Sequence, residues 1–226
     1  MSTWAVLVAA GRGERLGGDR PKAFARLAGR PLVAESIERL ESCEWIDAVV
    51  VVAPEGWEEP AILVAEELGC AKVTATVTGG ASRAESVRLG VAETAGDAAV
   101  LVVHDAARPF LPEAVLDRVL TALGEGFDGA VPGLPVVDTV KRVRGRLVAE
   151  TLPRAELVAV QTPQAFAADV LRAALAGDVA AASDCASLVE ARGGRVAVVE
   201  GDRRLLKVTT PEDLRLVERW LEDERT

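Results

Sequence analysis

Residues 4–22 read WAVLVAAGRGERLGGDRPK. The apolar run Val6, Leu7, Val8, Ala9 and Ala10 breaks into a loop with Gly11, Gly13, Gly17 and Gly18, threaded by Arg12, Arg15, Arg20 and Lys22. A short β-branched run ending in glycines reads as a buried strand that opens into a tight loop. Glycine lets the backbone approach a ligand closely and leaves successive N–H groups aimed at an anion. Four cations on such a loop point to a polyphosphate; the plainer alternative is a strand-to-helix turn with solvated arginines. The spacing excludes two common phosphate loops. The position three after Gly13 is Leu16, where a dinucleotide fingerprint needs glycine, and Lys22 precedes Ala23 instead of Ser or Thr.

Outward from this stretch, apolar runs alternate with helical patterns, the signature of an α/β protein whose parallel sheet is covered on both faces. Strands are expected at 47–53, 71–77, 98–103, 129–131, 157–160, 195–200 and 205–208. Helices are expected near 31–42, 58–68, 82–94, 111–123, 167–175 and 183–191, with a last one opening at Thr210-Pro211-Glu212-Asp213. There Thr stands as N-cap, Pro at the first position and an acid follows. Residues 132–156 break the rhythm. Two polar runs flank Gly145 and read as a projecting hairpin, packed either on a second subunit or as a flap on its own domain.

The chain has 226 residues, half of them apolar, which suits one α/β domain with a substantial core. A net charge of -9 and a pI near 4.9 argue against a nucleic-acid surface. They leave room for a small anionic substrate, which needs only local positive potential. Cys43, Cys70 and Cys185 are few and widely spaced, so neither a disulfide framework nor a zinc site is indicated and a cytoplasmic setting is expected. The run after Met1 lacks a basic flank and is too short for a membrane span, so a core strand is expected there. There are 22 Arg but four Lys, two Gln, one His and neither Asn nor Tyr. The rare types Lys22, Lys141, Lys207, His104, Gln161 and Gln164 fall in segments that stand out on other grounds.

In an open parallel sheet, ligands sit beyond the carboxyl ends of the strands. Four polar clusters fall at such ends: 11–22, 79–86, 104–108 and 161–164. In His104-Asp105-Ala106-Ala107-Arg108, the acid suits a hydrated magnesium ion or a substrate hydroxyl, and the arginine a phosphate. His104 reads either as a general base or as a satisfied strand-end histidine. Gly79-Gly80-Ala81-Ser82-Arg83-Ala84-Glu85-Ser86 reads a base edge or caps a helix. Lys207, within an apolar run, calls for a partner or a route to the surface.

The segments AAGRGERLGGDRPK, GGASRAES, VHDAARPF, DTVKRV, QTPQAF, SDCASLVE and LLKVTTPEDL run in order across nearly the whole chain. Together they resemble the 2-C-methyl-D-erythritol 4-phosphate cytidylyltransferase family of the non-mevalonate isoprenoid pathway. The resemblance implies the nucleotidyltransferase fold, a Rossmann-like, mostly parallel sheet with helices on both faces. It implies one domain over 1–226 with a dimerisation arm at about 132–156. The implied reaction joins CTP and methylerythritol phosphate, with Mg²⁺, to give the CDP-alcohol and pyrophosphate.

By that resemblance, Arg15 and Lys22 match the residues that stabilise the transition state, and Arg154 and Lys207 those that position the substrate. Ala10, Gly11, Gly13, Gly79, Gly80 and Ser86 fall where CTP is held. Asp105, Arg108, Thr139, Thr162 and Ser183 fall where the alcohol phosphate is lined, with Asp105 also a candidate metal ligand. A homodimer is implied, its arm placing Thr139 and Arg154 across the interface. The chain departs from the family's usual residues at Val8, Leu16, Ala81, Ser183, Cys185 and Leu205-Leu206. Ala81 and Cys185 each lack a carboxylate, so no metal role is assigned at Cys185. Competing readings are a cytidylyltransferase for another polyol phosphate such as ribitol 5-phosphate, a nucleotide-dependent oxidoreductase and a non-catalytic nucleotide sensor.

Overall fold

A computed structural model describes residues 2–224 except 12, 14, 15, 17–19 and 181; Arg15, Gly17 and Gly18 therefore lie outside the described residues. The chain opens with strand β1 (Thr3–Val8) and the two-residue ribbons β2 (Arg26–Leu27) and β3 (Arg30–Pro31), followed by helix α1 (Leu32–Ser42). Then come β4 (Ala48–Ala53), α2 (Glu58–Glu67), β5 (Val73–Thr78), α3 (Arg83–Ala92), β6 (Val100–Asp105) and α4 (Glu113–Gly124). The remainder is β7 (Gly129–Pro135), β8 (Val140–Arg144), β9 (Leu147–Leu152), β10 (Val158–Val160), β11 (Gln164–Ala167), α5 (Ala168–Leu175), α6 (Cys185–Glu190), β12 (Val196–Glu200) and α7 (Pro211–Glu224).

Among the described residues, eight strands form one sheet in the order β10-β7-β11-β6-β1-β4-β5, with β12 alongside β7. The half β6-β1-β4-β5 is parallel throughout. Its strands are nearly unbroken Val, Ala and Leu because both faces are covered. Successive side chains alternate between the two layers, as a period of two requires. Ala5, Leu7, Val49 and Val51 pack with α1, α2 and α4, whereas Val6 and Val52 pack with α3, α5 and α6. A third cluster seats α7 through Val217 and Leu221 against Leu27, Leu32 and Phe110.

The other half departs from a purely parallel sheet. β11 runs antiparallel between β6 and β7, and β10 runs antiparallel to β7. β11, with sequence QAFA, has no β-branched residue, so periodicity does not reveal it. Residues 205–208, expected as a strand, are an extended loop, although the Val208 N–H donates to the Ala107 carbonyl at 2.8 Å. The projecting hairpin is present: β8 pairs with β9 as a separate two-stranded ribbon and turns at Gly145, whose φ of +59° favours glycine.

The helix starts are local and legible. The Ser82 hydroxyl accepts the Glu85 N–H at 3.1 Å while the Glu85 carboxylate accepts the Ala81 N–H at 2.9 Å, a reciprocal cap for α3. At α7 the Asp213 carboxylate accepts the N–H groups of Thr209 and Thr210, both at 2.8 Å. α3 lies so close to the sheet that a Cβ on Gly90 would stand 2.6 Å from methyl groups of Val6 and Val52. Overpacking there costs about 1–3 kcal/mol, and alanine's helix propensity offsets roughly 1 kcal/mol of it. Gly90→Ala is therefore expected to lower the urea midpoint of unfolding; a midpoint at or above that of the parent chain would refute this packing argument.

Candidate active site

β1 and β6 are neighbours in register, Val8 opposite Asp105, so their exits lie side by side. β1 continues to one side through β4 and β5, and β6 returns on its other side. This reversal leaves a crevice at the carboxyl ends, where ligands of open α/β sheets bind. Backbone bonds prolong the ladder past the strands: Ala9 N–H to the Val52 carbonyl at 2.8 Å, Ala106 N–H to Val8 at 3.0 Å and Gly79 N–H to Ala53 at 2.8 Å.

A cavity of about 520 Å³ occupies the crevice, with Ala10, Gly11, Lys22, Gly80 and Ser86 in its wall. The glycines are required by close approach. A Cβ on Gly79 would stand 2.2 Å from that of Ala10, and one on Gly80 would stand 2.3 Å from the Glu85 side chain. Gly13 has a φ of +70°, and its Cα abuts Lys22, where a Cβ would come within 2.4 Å. The Ser86 hydroxyl accepts the Gly80 N–H at 3.1 Å and donates to the Ser82 carbonyl at 2.9 Å, so it shapes this loop.

A second cavity, of about 410 Å³, is lined by Arg108, Thr162, Gln164 and Ser183. The two cavities share three residues: Arg83, Asp105 and Lys207. Asp105 joins the other two. Its Oδ1 accepts a hydrogen bond from Arg83 Nε at 2.9 Å and lies 2.8 Å from Nη2 in the same ion pair, and its Oδ2 accepts one from Lys207 Nζ at 2.7 Å. Burial by itself would raise the Asp105 pKa, but Arg83 and Lys207 outweigh it and hold the carboxyl well below the ordinary range. Burial lowers the Arg108 pKa, with Asp105 opposing. Beside Arg83, the Cys185 thiol is pushed up to about 11 by burial and is a poor nucleophile at neutral pH.

This donor set does not fit a resident divalent ion. Both Asp105 oxygens already face cations, and among the described residues no three His, Cys, Asp or Glu side chains gather as metal ligands. Asp105, expected as a candidate metal ligand, stands here as the acceptor of a double ion pair.

His104 is fully buried. Its Nε2 lies 3.0 Å from the Arg108 carbonyl and its Nδ1 lies 3.1 Å from Thr162 Oγ1. Burial lowers its pKa to about 4, which selects the satisfied strand-end histidine over a general base. The two glutamines tie loops together. Gln161 exchanges hydrogen bonds with the Asp202 main chain at 2.8 and 3.1 Å. Gln164 donates to the Asp184 carboxylate at 3.0 Å and accepts the Cys185 N–H at 3.3 Å.

The crevice thus unites Lys22, Lys207, Ala10, Gly11, Gly79, Gly80, Ser86 and Asp105, with Gly13 behind Lys22 and Arg108, Thr162 and Ser183 in the adjoining cavity. Thr139 and Arg154 line neither cavity; both are exposed beside the hairpin, and Arg154 donates to the Val137 carbonyl. Arg15 lies outside the described residues. Arg83 falls within the 79–86 cluster, whose sequence alone assigns it no role. A signal existed: a cation at the first position of α3 opposes the helix dipole and calls for a carboxylate from elsewhere.

Comparison with known proteins agrees with this architecture. The family model described as IspD, 2-C-methyl-D-erythritol 4-phosphate cytidylyltransferase, matches residues 3–223. A relative of that name from Nocardia farcinica is 46% identical over 222 residues, covering 98% of this chain and 94% of the relative. Among solved structures, a 4-diphosphocytidyl-2C-methyl-D-erythritol synthase is 32% identical with a TM-score of 0.81, over 97% of this chain and 98% of the other. The 2-C-methyl-D-erythritol 4-phosphate cytidylyltransferase from Thermus thermophilus is 34% identical with a TM-score of 0.75, over 96% and 98%.

The buried histidine makes stability depend on pH. Its folded pKa of about 4 lies below the unfolded value of about 6.5. The unfolded chain therefore binds the extra proton between those values. Stability is full above the unfolded pKa and declines as pH falls toward the folded one. Asp105, with its depressed pKa, loses its contribution only at lower pH, as its own carboxyl protonates. Urea midpoints should fall as pH drops from about 6.5 toward about 4 in the parent chain, the window set by the unfolded and folded values, and stay flatter in a folded His104→Gln variant. An equal fall in both would contradict the assignment.

Proposed function

The chain belongs to the 2-C-methyl-D-erythritol 4-phosphate cytidylyltransferase family and transfers the cytidylyl group of CTP to 2-C-methyl-D-erythritol 4-phosphate, and from that premise we propose how its residues divide the work. The nucleotide occupies the cavity walled by Ala10, Gly11, Gly80 and Lys22. The alcohol phosphate occupies the adjoining one, lined by Arg108, Thr162 and Ser183. The observation that carries this division is their common wall of Arg83, Asp105 and Lys207.

In the transfer, a phosphate oxygen of the alcohol attacks the α-phosphorus of CTP in line and pyrophosphate departs from the opposite side. Both reactants are anions, so repulsion opposes their approach, and charge builds on the α-phosphate oxygens in the transition state. Lys22, together with the backbone N–H at Gly11, stabilises that charge without having to reorganise. Lys207 holds the incoming phosphate against the shared wall. Asp105 accepts a hydroxyl of the alcohol while keeping Arg83 and Lys207 in place. Arg15 joins Lys22 by the family resemblance. Magnesium arrives with the triphosphate as part of that substrate, since Mg²⁺ is commonly held by substrate phosphates and water.

The working unit is a homodimer, and its setting is the cytoplasm. All three cysteines are unpaired thiols, and among the described residues no helix is long and apolar enough to cross a membrane. The ribbon of β8 and β9 supports the dimer. Val143, Leu147 and Val148 on it, at 59%, 76% and 61% exposure, are apolar side chains in need of a covering surface. Thr139 and Arg154 act across the interface; neither lines a cavity of its own chain.

Incubation with CTP, Mg²⁺ and a panel of polyol phosphates should release pyrophosphate rapidly with methylerythritol phosphate; faster turnover of ribitol 5-phosphate would favour the rival substrate. In the same assay Lys22→Ala should lower kcat by ~10²–10³-fold, or ~2.7–4 kcal/mol. A kcat within about threefold of the parent, a little under ~0.7 kcal/mol, would remove Lys22 from catalysis.

The dimer is open to a mixing experiment. Lys22→Ala and Arg154→Ala chains, each inactive alone, should recover about a quarter of parental turnover when mixed, because random pairing about a two-fold axis rebuilds one intact site in each heterodimer. If mixed dimers form by sedimentation and turnover stays absent, Arg154 does not serve the neighbouring site.

A further inference from the structure

His104 is the chain's one histidine, and the transfer reaction gives it no part. Its surroundings define its protonation. The Arg108 carbonyl at 3.0 Å can only accept, so Nε2 carries the proton. A neutral ring then presents Nδ1 as an acceptor, and the Thr162 hydroxyl at 3.1 Å supplies the donor. The same hydroxyl accepts the Asp105 N–H at 3.0 Å. Three hydrogen bonds therefore run in one direction: Asp105 N–H to Thr162, Thr162 O–H to His104, and His104 Nε2–H to Arg108.

We propose that His104 is a positioning residue for the alcohol-phosphate half of the site, holding the Thr162 hydroxyl and the Arg108 main chain in the arrangement that lines the second cavity. The proposal rests on the division of cavities argued above. It has a consequence for recognition. The Thr162 proton is occupied by the ring and one lone pair by Asp105, so toward a ligand this hydroxyl offers only its second lone pair. It matches a donor, such as a hydroxyl of the polyol, and does not match a fully ionised phosphate oxygen.

Each partner is itself connected to the shared wall. Asp105 holds Arg83 and Lys207, and the Arg108 guanidinium donates to the Leu205 carbonyl, two residues before Lys207. The ring thus ties the turn after β6 to the loop between β10 and β11, and its bond to Thr162 spans 58 residues of chain. An apolar side chain in place of His104 would leave the Thr162 hydroxyl proton without its acceptor and the Arg108 carbonyl without its donor.

Two measurements decide the matter. In the ¹⁵N-labelled parent protein the single imidazole should be the Nε2–H tautomer at neutral pH. Its Nδ1 resonance should move on adding methylerythritol phosphate alone, and hardly at all on adding CTP alone. In kinetics, His104→Leu should raise the KM for methylerythritol phosphate by about tenfold, the scale of one lost hydrogen bond, with the KM for CTP nearly unchanged. His104→Gln, which restores a donor or an acceptor, should recover part of that loss.

An Nδ1–H tautomer, or KM values for both substrates rising together in the folded Gln variant, would overturn the proposal. If the Leu variant does not fold, the parent tautomer and the Gln variant still decide it. A parent protein that fails to turn over methylerythritol phosphate would instead sink the functional reading, while leaving the tautomer measurable.

Discussion

The double ion pair at Asp105 is the constraint around which the crevice is organised. A buried carboxylate is costly unless its charge is paired and its oxygens are bonded. Arg83 reaches it from α3 and Lys207 from the loop before α7, so three elements distant in sequence meet at one group. Removing either cation leaves the carboxylate one partner, whereas removing Asp105 leaves two cations facing each other without their counter-charge. The trio also carries a net positive charge. With Lys22 and Arg108 nearby, it creates a cationic locus in a chain whose formal charge is -9. Acidity elsewhere on the surface does not prevent that, because local geometry sets the potential that a small anion meets.

Glycine permits the close construction on the nucleotide side. The Gly79–Gly80 turn lies against Ala10 and Glu85 at distances no Cβ would tolerate, which brings the exits of β1 and β5 together. Hydroxyls that look like ligand contacts in sequence also hold this backbone: Ser82 caps α3 and Ser86 bridges Gly80 to Ser82. The loop is preorganised by the residues that line it. With its own N–H groups spent on Ala53 and Ser86, the turn serves as a fixed wall beside Lys22 and Gly11.

The parallel half of the fold and the positions of the polar clusters were legible because they depend on strong local signals. Val-rich runs such as Ala48–Ala53 announce strands buried on both faces, and Thr210-Pro211 announces a helix start. The short β11 was not legible. Its strand state comes from pairing with β6 and β7, and nothing in Gln-Ala-Phe-Ala favours it locally. Residues 205–208 err in the opposite direction: an apolar run with one lysine resembles a strand, yet its main-chain bonds are a local turn from Leu205 to Asp202 and one from Val208 to Ala107 instead of a ladder. The role of Asp105 was half visible. Position suggested a site, whereas the identity of its partners required knowing that α3 and the loop before α7 converge.

Three side chains with nucleophilic or basic potential around the crevice, His104, Cys185 and Ser86, are engaged in ways that remove that potential. His104 has both ring nitrogens bonded and a pKa near 4, so it remains neutral without accepting a substrate proton. Cys185 is buried, with its thiol pKa raised to about 11. Ser86 donates its only hydroxyl proton to the Ser82 carbonyl. A phosphate nucleophile needs no deprotonation by such groups, since it is already an anion at neutral pH. What it lacks is permission to approach another anion, and the fixed charges of Lys22, Arg83 and Lys207 supply the opposing potential where the two cavities meet. The same groups that would make this site poor for covalent catalysis make it rigid, and rigidity is what transfer between two anions demands.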